Sequence, residues 1–243
     1  MRAFGLIGYP LGHSFSKKYF TEKFEREGIT GNTYELYPLE HIDQLEKLLV
    51  ANPDLTGLNV TIPYKEQVIA YLDKMSPVVE EIGACNCILI EDGQLMGHNT
   101  DVIGFSRSLL PKLKPHHKQA LILGTGGSAK AVAYILKELG IPFLQVSRTP
   151  AEGMIGYEDL DQSMLETHTL LINTTPVGMY PFIEMAPAIP YEFIGTDHYL
   201  FDLVYNPART RFLQEGALRG AAIENGSDML VIQAEASWEI WNS

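Results

Sequence analysis

The stretch LILGTGGSA, residues 121–129, decides how this 243-residue chain is read. Ala120 and the apolar run Leu121-Ile122-Leu123 form a short buried-type strand, and a helix pattern begins at Ser128. Between them stands G-x-G-x-x-A, and the chemistry of dinucleotide binding requires this order. Gly124 makes the tight turn, Gly126 lets the backbone approach a pyrophosphate, and Ala129 lets helix and strand pack closely. The free N–H groups and partial positive charge of the helix N-terminus face the phosphates. Gly124, Gly126, Gly127, Ser128 and Ala129 are therefore the expected cofactor-binding turn. The plain alternative, a glycine-rich turn with no ligand, is disfavoured by the strand before it and the helix after it.

Reading onward, residues 143–146 form the next strand, ending in Ser147-Arg148-Thr149. A site for NAD places an acid here for the ribose 2′-hydroxyl, whereas a guanidinium and two hydroxyls suit a 2′-phosphate. The expected cofactor is NADP(H), held by Ser147, Arg148 and Thr149. A helix follows over about 157–165. Strand 169–173 ends in Asn173-Thr174-Thr175, which should border the cofactor, because ligands of doubly wound sheets lie at the strands' carboxyl ends. Strand 199–203 and a helix at 209–215 complete this half.

Reading back from the glycine turn, strand-like and helix-like runs alternate: 3–7 then 16–27, 34–37 then 41–50, 55–62 then 64–72. The Asp92-Gly93 pair between 87–91 and 94–98 predicts a hairpin, since this dipeptide favours the turn that matches strand twist. A helix over 101–110 follows, and residues 111–119, with two prolines and no periodicity, predict a boundary. The last stretch, 228–241, reads as one helix with enough apolar surface to dock elsewhere. The expected fold class is α/β, with two α/β domains.

Composition narrows the function. Eighteen Lys+Arg against thirty Asp+Glu give a net charge of −12, which argues against nucleic-acid binding. No apolar run reaches membrane-spanning length and no signal sequence is visible, so the expectation is a cytoplasmic protein with no membrane partner. Cys85 and Cys87 are too close for a disulfide framework and are expected to be buried small side chains. The histidines match no metal-ligand spacing, so no metal is expected.

The first half carries a second constellation. Ser14 and Ser16 precede a helix, with Ser16 the expected N-cap. Asn59 and Thr61 share one face of a strand that leads to Lys65, expected in the first turn of a helix, where the macrodipole disfavours a cation. Asn99-Thr100-Asp101 ends the hairpin. Hydroxyls, amides, one lysine and one aspartate are what a polyhydroxylated acid needs.

At this point the sequence closely resembles the shikimate dehydrogenase family. GYPLGHSFS (8–16), NVTIPYKE (59–66), GACN (83–86), DGQLMGHNTD (92–101), GTGGSAKA (124–131), INTTPVGM (172–179), DLVYNPARTRFL (202–213) and GSDMLVIQAEASWEIW (226–241) stand in that family's order, from end to end. The resemblance implies NADPH-dependent reduction of 3-dehydroshikimate in aromatic amino acid biosynthesis. It also implies an N-terminal substrate domain, 1–101 with 230–243, and a Rossmann-like NADP-binding domain, 102–229, with the active site in the cleft between them.

Position by position, the resemblance assigns Lys65 and Asp101 as the catalytic pair. It assigns Ser14, Ser16 and Tyr205 to the substrate carboxylate, and Thr61, Asn86, Asn99 and Gln233 to the ring hydroxyls. Asn173 and Thr174 border the cofactor, and Gly226 and Met229 lie near the nicotinamide. A monomer or homodimer is expected.

The chain departs from the family at Cys87, where a small hydroxyl is usual, and after Arg148, where a second basic residue is usual. Asp228 adds a charge near Met229. Three other readings stay open: an NAD-using quinate or shikimate dehydrogenase, a catalytically silent ligand sensor, and a methylenetetrahydrofolate dehydrogenase-like enzyme with a comparable two-domain plan. Arg148 argues against the first, the Lys65–Asp101 pair against the second, and Ser14, Ser16 and Tyr205 against the third.

Overall fold

A computed structural model describes residues 2–12 and 14–243. His13, within the first motif, lies outside them. The chain divides into two compact units, Met1–Asp101 with Gln233–Ser243, and Val102–Ile232.

The first unit is a mixed six-stranded sheet. Its strands are β1 (Arg2–Gly8), β2 (Asn32–Pro38), β3 (Leu55–Val60), β4 (Lys74–Met75), β5 (Cys87–Glu91) and β6 (Gln94–His98), in the order β2-β1-β3-β5-β6-β4. β1 pairs parallel with β2 and β3, and β5 and β6 form the expected hairpin, with Asp92 at φ 50° in its turn. One face carries α2 (Gln44–Ala51) and α3 (Pro77–Ile82). The other packs Phe4, Leu6 and Cys87 against Phe20 and Phe24 of α1 (Phe15–Arg26) and against Ala234 and Trp241 of α8 (Ser227–Trp241). Trp241 stacks on Phe4 with ring centroids 4.8 Å apart, and its indole N–H donates to the Ile88 carbonyl at 3.0 Å. The indole lies where a Cβ on residue 57 would project, so β3 needs Gly57 for α8 to close on the sheet.

The second unit is a parallel six-stranded sheet of β7 (Ala120–Leu123), β8 (Phe143–Val146), β9 (Met154–Ile155), β10 (Leu170–Asn173), β11 (Tyr199–Asp202) and β12 (Ala222–Asn225), in the order β12-β11-β10-β7-β8-β9. Counted from β7, this is the doubly wound order 3-2-1-4-5-6 of dinucleotide-binding sheets. Four-residue strands buried at every position, such as ALIL in β7, LLIN in β10 and YLFD in β11, are what a sheet covered on both sides requires. α4 (Asp101–Leu109), α5 (Gly127–Glu138), α6 (Gln162–Thr167) and α7 (Arg211–Leu218) accompany this sheet in sequence.

Three expectations change. Residues 64–72 form a turn and then a short 3₁₀ segment, Gln67–Tyr71, rather than an α-helix, so Lys65 stands in a turn. Helix α1 starts at Phe15, which puts Ser14, not Ser16, at the N-cap position, with no side-chain capping bond. Residues 111–119 lie inside the second unit and not between units. His117 explains the last: it is buried, accepts the Lys114 N–H at its Nδ1 and packs its ring 5.7 Å from that of Tyr199, and burial pushes its pKa down to about 4.

Gly57→Ala places a methyl group against the Trp241 indole. It is expected to destabilise the protein by about 1–3 kcal/mol, the usual cost of overpacking. Urea denaturation measures this, and an unchanged midpoint would show that α8 is not held by this contact.

Candidate functional site

In the first unit the polar residues gather along one edge of the sheet. β1 and β3 run parallel and β5 runs against β3, so the C-terminal ends of β1, β3 and β6 and the N-terminal end of β5 share that edge. Ser14 follows β1, Thr61 and Lys65 follow β3, Asn86 precedes β5, and Asn99 to Asp101 follow β6. Thr61 is fixed by its backbone N–H, which donates to the Ile7 carbonyl at 2.9 Å.

Lys65 Nζ and Asp101 Oδ2 form an ion pair at 2.6 Å, with side chains only 14% and 8% exposed. Asp101 opens α4, where the helix N-terminus favours a carboxylate. Its second oxygen, Oδ1, accepts from Asn86 Nδ2 at 2.9 Å. The orientation of the Asn86 amide is unambiguous. The Thr100 backbone N–H can only donate, and it donates to Oδ1 of Asn86 at 2.6 Å. Asn86 Nδ2 also reaches Thr100 Oγ1 at 3.1 Å, so the amide is engaged at both ends within the protein. Asn99 Nδ2 donates to the Ala84 carbonyl at 2.9 Å, and Lys65 is anchored through its own carbonyl, which accepts the Cys85 N–H at 2.7 Å.

The network continues into the fold. Thr100 Oγ1 lies 3.4 Å from Gln233 Oε1 and 3.2 Å from Ser237 Oγ, both on α8. Asn59 Nδ2 donates to Ser237 Oγ at 2.9 Å, and Asn59 Oδ1 accepts from Tyr34, which also hydrogen-bonds Ser16. Ser16 is thereby tied to Asp101 through buried side chains, whereas Ser14 stands half-exposed at the start of α1. Sequence reasoning gave Ser237 and Tyr34 no role, and placed Thr100 among the polar residues that end the hairpin without naming its partners. The signal for Thr100 and Ser237 was available as hydroxyls on otherwise buried faces, but their pairing across 137 residues was not. Cys85 and Cys87 are fully buried, and burial pushes both thiols well above their ordinary value, so they behave as packing groups.

The second unit gathers its candidates at the carboxyl edge of its sheet. Gly124 turns at φ 116°, a conformation that suits glycine, and a Cβ there would lie 2.5 Å from Thr174 Oγ1. Thr174 holds the turn from the other side, its hydroxyl donating to the Leu123 carbonyl at 2.8 Å. Gly126 is the N-cap residue of α5, and a Cβ there would meet nothing within 4 Å. Gly127 and Ser128 begin the helix, and Ala129 is fully buried behind them. Ser147, Arg148 and Thr149 follow β8, where the Thr149 N–H donates to Ser147 Oγ at 3.2 Å, and Arg148 is exposed. Tyr205 is half-buried in the loop after β11, Gly226 lies against the Leu203 carbonyl, Met229 is buried in the first turn of α8, and Asp228 is exposed.

Asn173 differs from expectation. Its side chain is fully buried, donating to Asp202 Oδ1 at 2.9 Å and accepting from the N–H and hydroxyl of Thr175. It shapes the loop and presents no side-chain surface to a ligand. Asp202, which sequence reasoning passed over, is the hub of this edge, binding Asn173, Thr210 at the N-cap of α7, and the Val204 N–H. Burial pushes its carboxyl up to about 6, against these three hydrogen bonds, which favour the ionised form.

Among the described residues no cluster of three or more His, Cys, Asp or Glu is arranged to hold a metal ion, and no helix is long and apolar enough to cross a membrane.

Residues 6–88 match the family model described as the shikimate dehydrogenase substrate binding domain. The shikimate dehydrogenase (NADP(+)) of Clostridium beijerinckii is 37% identical over 99% of this chain and 92% of its own length. That of Caldicellulosiruptor bescii is 35% identical over 99% of this chain and 89% of its own. Among crystal structures, the shikimate 5-dehydrogenase of Thermus thermophilus, in complex with NADP(H) and shikimate, superposes with a TM-score of 0.88 at 32% identity, over 99% of this chain and 93% of that one.

The Asp202 carboxyl holds its proton more tightly folded than unfolded, so its contribution to stability is present below about pH 4 and lost as the pH rises through about 6. Between about pH 4.5 and 7.5 the wild type is expected to lose about 2 kcal/mol relative to Asp202→Asn. Urea unfolding at both pH values measures it, and parallel profiles for the two proteins would contradict it.

Proposed function

The chain belongs to the shikimate dehydrogenase family, and from that membership and the geometry of its polar edge we infer that it catalyses the reversible NADPH-dependent reduction of 3-dehydroshikimate to shikimate. The product feeds the synthesis of chorismate and the aromatic amino acids. The observation that carries the reading is the largely buried Lys65–Asp101 pair at 2.6 Å, held in one orientation by Asn86.

Residues 1–101 with 230–243 hold the substrate and residues 102–229 hold the cofactor. The glycine turn fits a dinucleotide: the open space beside Gly126 lets the backbone approach a pyrophosphate, and the N–H groups of α5 face it. Ser147, Arg148 and Thr149 take the 2′-phosphate. When bound, NADPH supplies the hydride for the substrate's carbonyl carbon. Negative charge grows on the carbonyl oxygen, and Lys65 Nζ donates a hydrogen bond and then a proton to it. Asp101 orients Nζ, and Asn86, assigned with Thr61, Asn99 and Gln233 to the ring hydroxyls, also holds Asp101 in place.

The hydroxyls of Ser14 and Ser16, with Tyr205, hold the substrate carboxylate, while Thr61, Asn99 and Gln233 meet the ring hydroxyls. Gly226 and Met229 border the nicotinamide. The protein acts in the cytoplasm as a monomer or homodimer.

Lys65→Ala and Asp101→Asn are each expected to lower kcat by about a hundredfold or more while changing substrate KM much less. Absorbance of the reduced nicotinamide, followed with shikimate and each cofactor in turn, measures both. Near-wild-type turnover in either variant removes that residue from the mechanism. A preference for quinate with NAD would replace the assigned substrate and cofactor.

A further inference from the structure

Ser237 belongs to none of the assigned groups, yet it is fully buried; its hydroxyl meets three nitrogen or oxygen partners and also hydrogen-bonds the Cys87 thiol. One assignment of protons satisfies all three of the nitrogen and oxygen contacts. The Gln233 carbonyl can only accept, so the Ser237 proton goes to it, at 2.9 Å. Asn59 Nδ2 can only donate, because its other contact is the Asn86 carbonyl at 3.3 Å, so Ser237 Oγ accepts from Asn59. With its proton used, Ser237 can only accept from Thr100 as well, at 3.2 Å. The Thr100 hydroxyl, having donated, then accepts the second amide proton of Asn86, whose first goes to Asp101. A one-way chain results: Asn86 donates to Thr100, Thr100 to Ser237, and Ser237 to the backbone of α8.

We propose that Ser237 is a positioning residue for the reaction: by taking the Thr100 proton it locks the Asn86 amide, and through it the Asp101 carboxylate that orients Lys65. The inference rests on the assignment of Lys65 and Asp101 above. The alternatives open to Thr100 without Ser237 are unfavourable. Its proton would turn to Asn86 Oδ1 at 3.3 Å or to Gln233 Oε1 at 3.4 Å. The first disturbs the amide that holds Asp101. The second draws on a side chain assigned to the substrate. Position 237 lies on α8, which begins in one compact unit and ends in the other. In buried chains of this kind each bond depends on its neighbours, so losing one acceptor is felt beyond its own contact.

The test is a double-mutant cycle on Ser237→Ala and the nearly isosteric Thr100→Val, with Thr100→Ser as the conservative control. The readouts are kcat for 3-dehydroshikimate, KM for NADPH and thermal midpoint. Each single loss is expected to lower kcat about five- to tenfold, the scale of one buried hydrogen bond. The KM for NADPH stays within about twofold, Thr100→Ser retains wild-type kcat within about twofold, and the double variant falls no further than Thr100→Val alone. Wild-type kcat in folded Ser237→Ala, additive losses in the double variant, or a parallel rise in the KM for NADPH each overturn the proposal. If Ser237→Ala does not fold, Thr100→Val reads the same bond from its other end, and wild-type kcat there overturns it. An inactive wild type overturns the assigned activity itself; an active wild type with unaffected variants overturns only the role of Ser237.

Discussion

The packing of Trp241 into the space left by Gly57 is the contact on which the arrangement of the polar edge depends. Helix α8 leaves the parallel sheet after β12 and runs 15 residues, and from Gln233 onward it belongs to the first unit. With its final turn seated, the indole on Phe4 and its N–H on the Ile88 carbonyl, Gln233 and Ser237 stand beside Thr100. An apolar contact at one end of the helix thus sets hydrogen-bond geometry in the turns before it. The division is physically sensible: ring stacking and burial supply the attraction, and the polar groups, once desolvated, have to be matched or they oppose folding.

That matching runs through the whole first unit. From Tyr34 to Lys65 the side-chain amides and hydroxyls of Asn59, Ser237, Thr100 and Asn86 are linked in series, and the chain terminates on a carboxylate paired with an ammonium. The second unit repeats the device with Asp202, whose carboxylate ties the ends of β10 and β11 to the start of α7. In both units one buried acid ties together segments at an edge of the sheet. Within a chain of net charge −12, the N-terminus of α5, Arg148 and Lys65 create local positive fields that the overall charge does not describe.

Much of this was legible in residue order. The hairpin at Asp92-Gly93, the buried four-residue strands and the turn at Gly124 are local consequences of backbone chemistry, and they appear in the structure where the pattern put them. The two-residue strands β4 and β9 were not legible, because so short a segment has no periodicity and is extended only by pairing with a neighbour. Residues 64–72 had apolar spacing compatible with a helix, but the chain there is held as a turn between Thr61 and a short 3₁₀ segment. Residues 111–119 looked like a linker because prolines and lysines dominate the composition, and the buried ring of His117 is what ties them to the second unit.

By itself the sequence determined the α/β class, the dinucleotide-type turn and the ordered motifs, and through their family resemblance it singled out Lys65 and Asp101 as a pair. These depend on spacing and on the intrinsic chemistry of side chains, which are properties of residue order. The tertiary structure alone decided that Asn173 faces inward, that Ser14 and not Ser16 begins the helix, and that Asp202 joins three segments. It also decided that Ser237 meets Thr100 from 137 residues away. Whether a buried polar atom turns toward a ligand or toward the fold is settled by which partners packing brings within hydrogen-bond reach, and no local pattern encodes that.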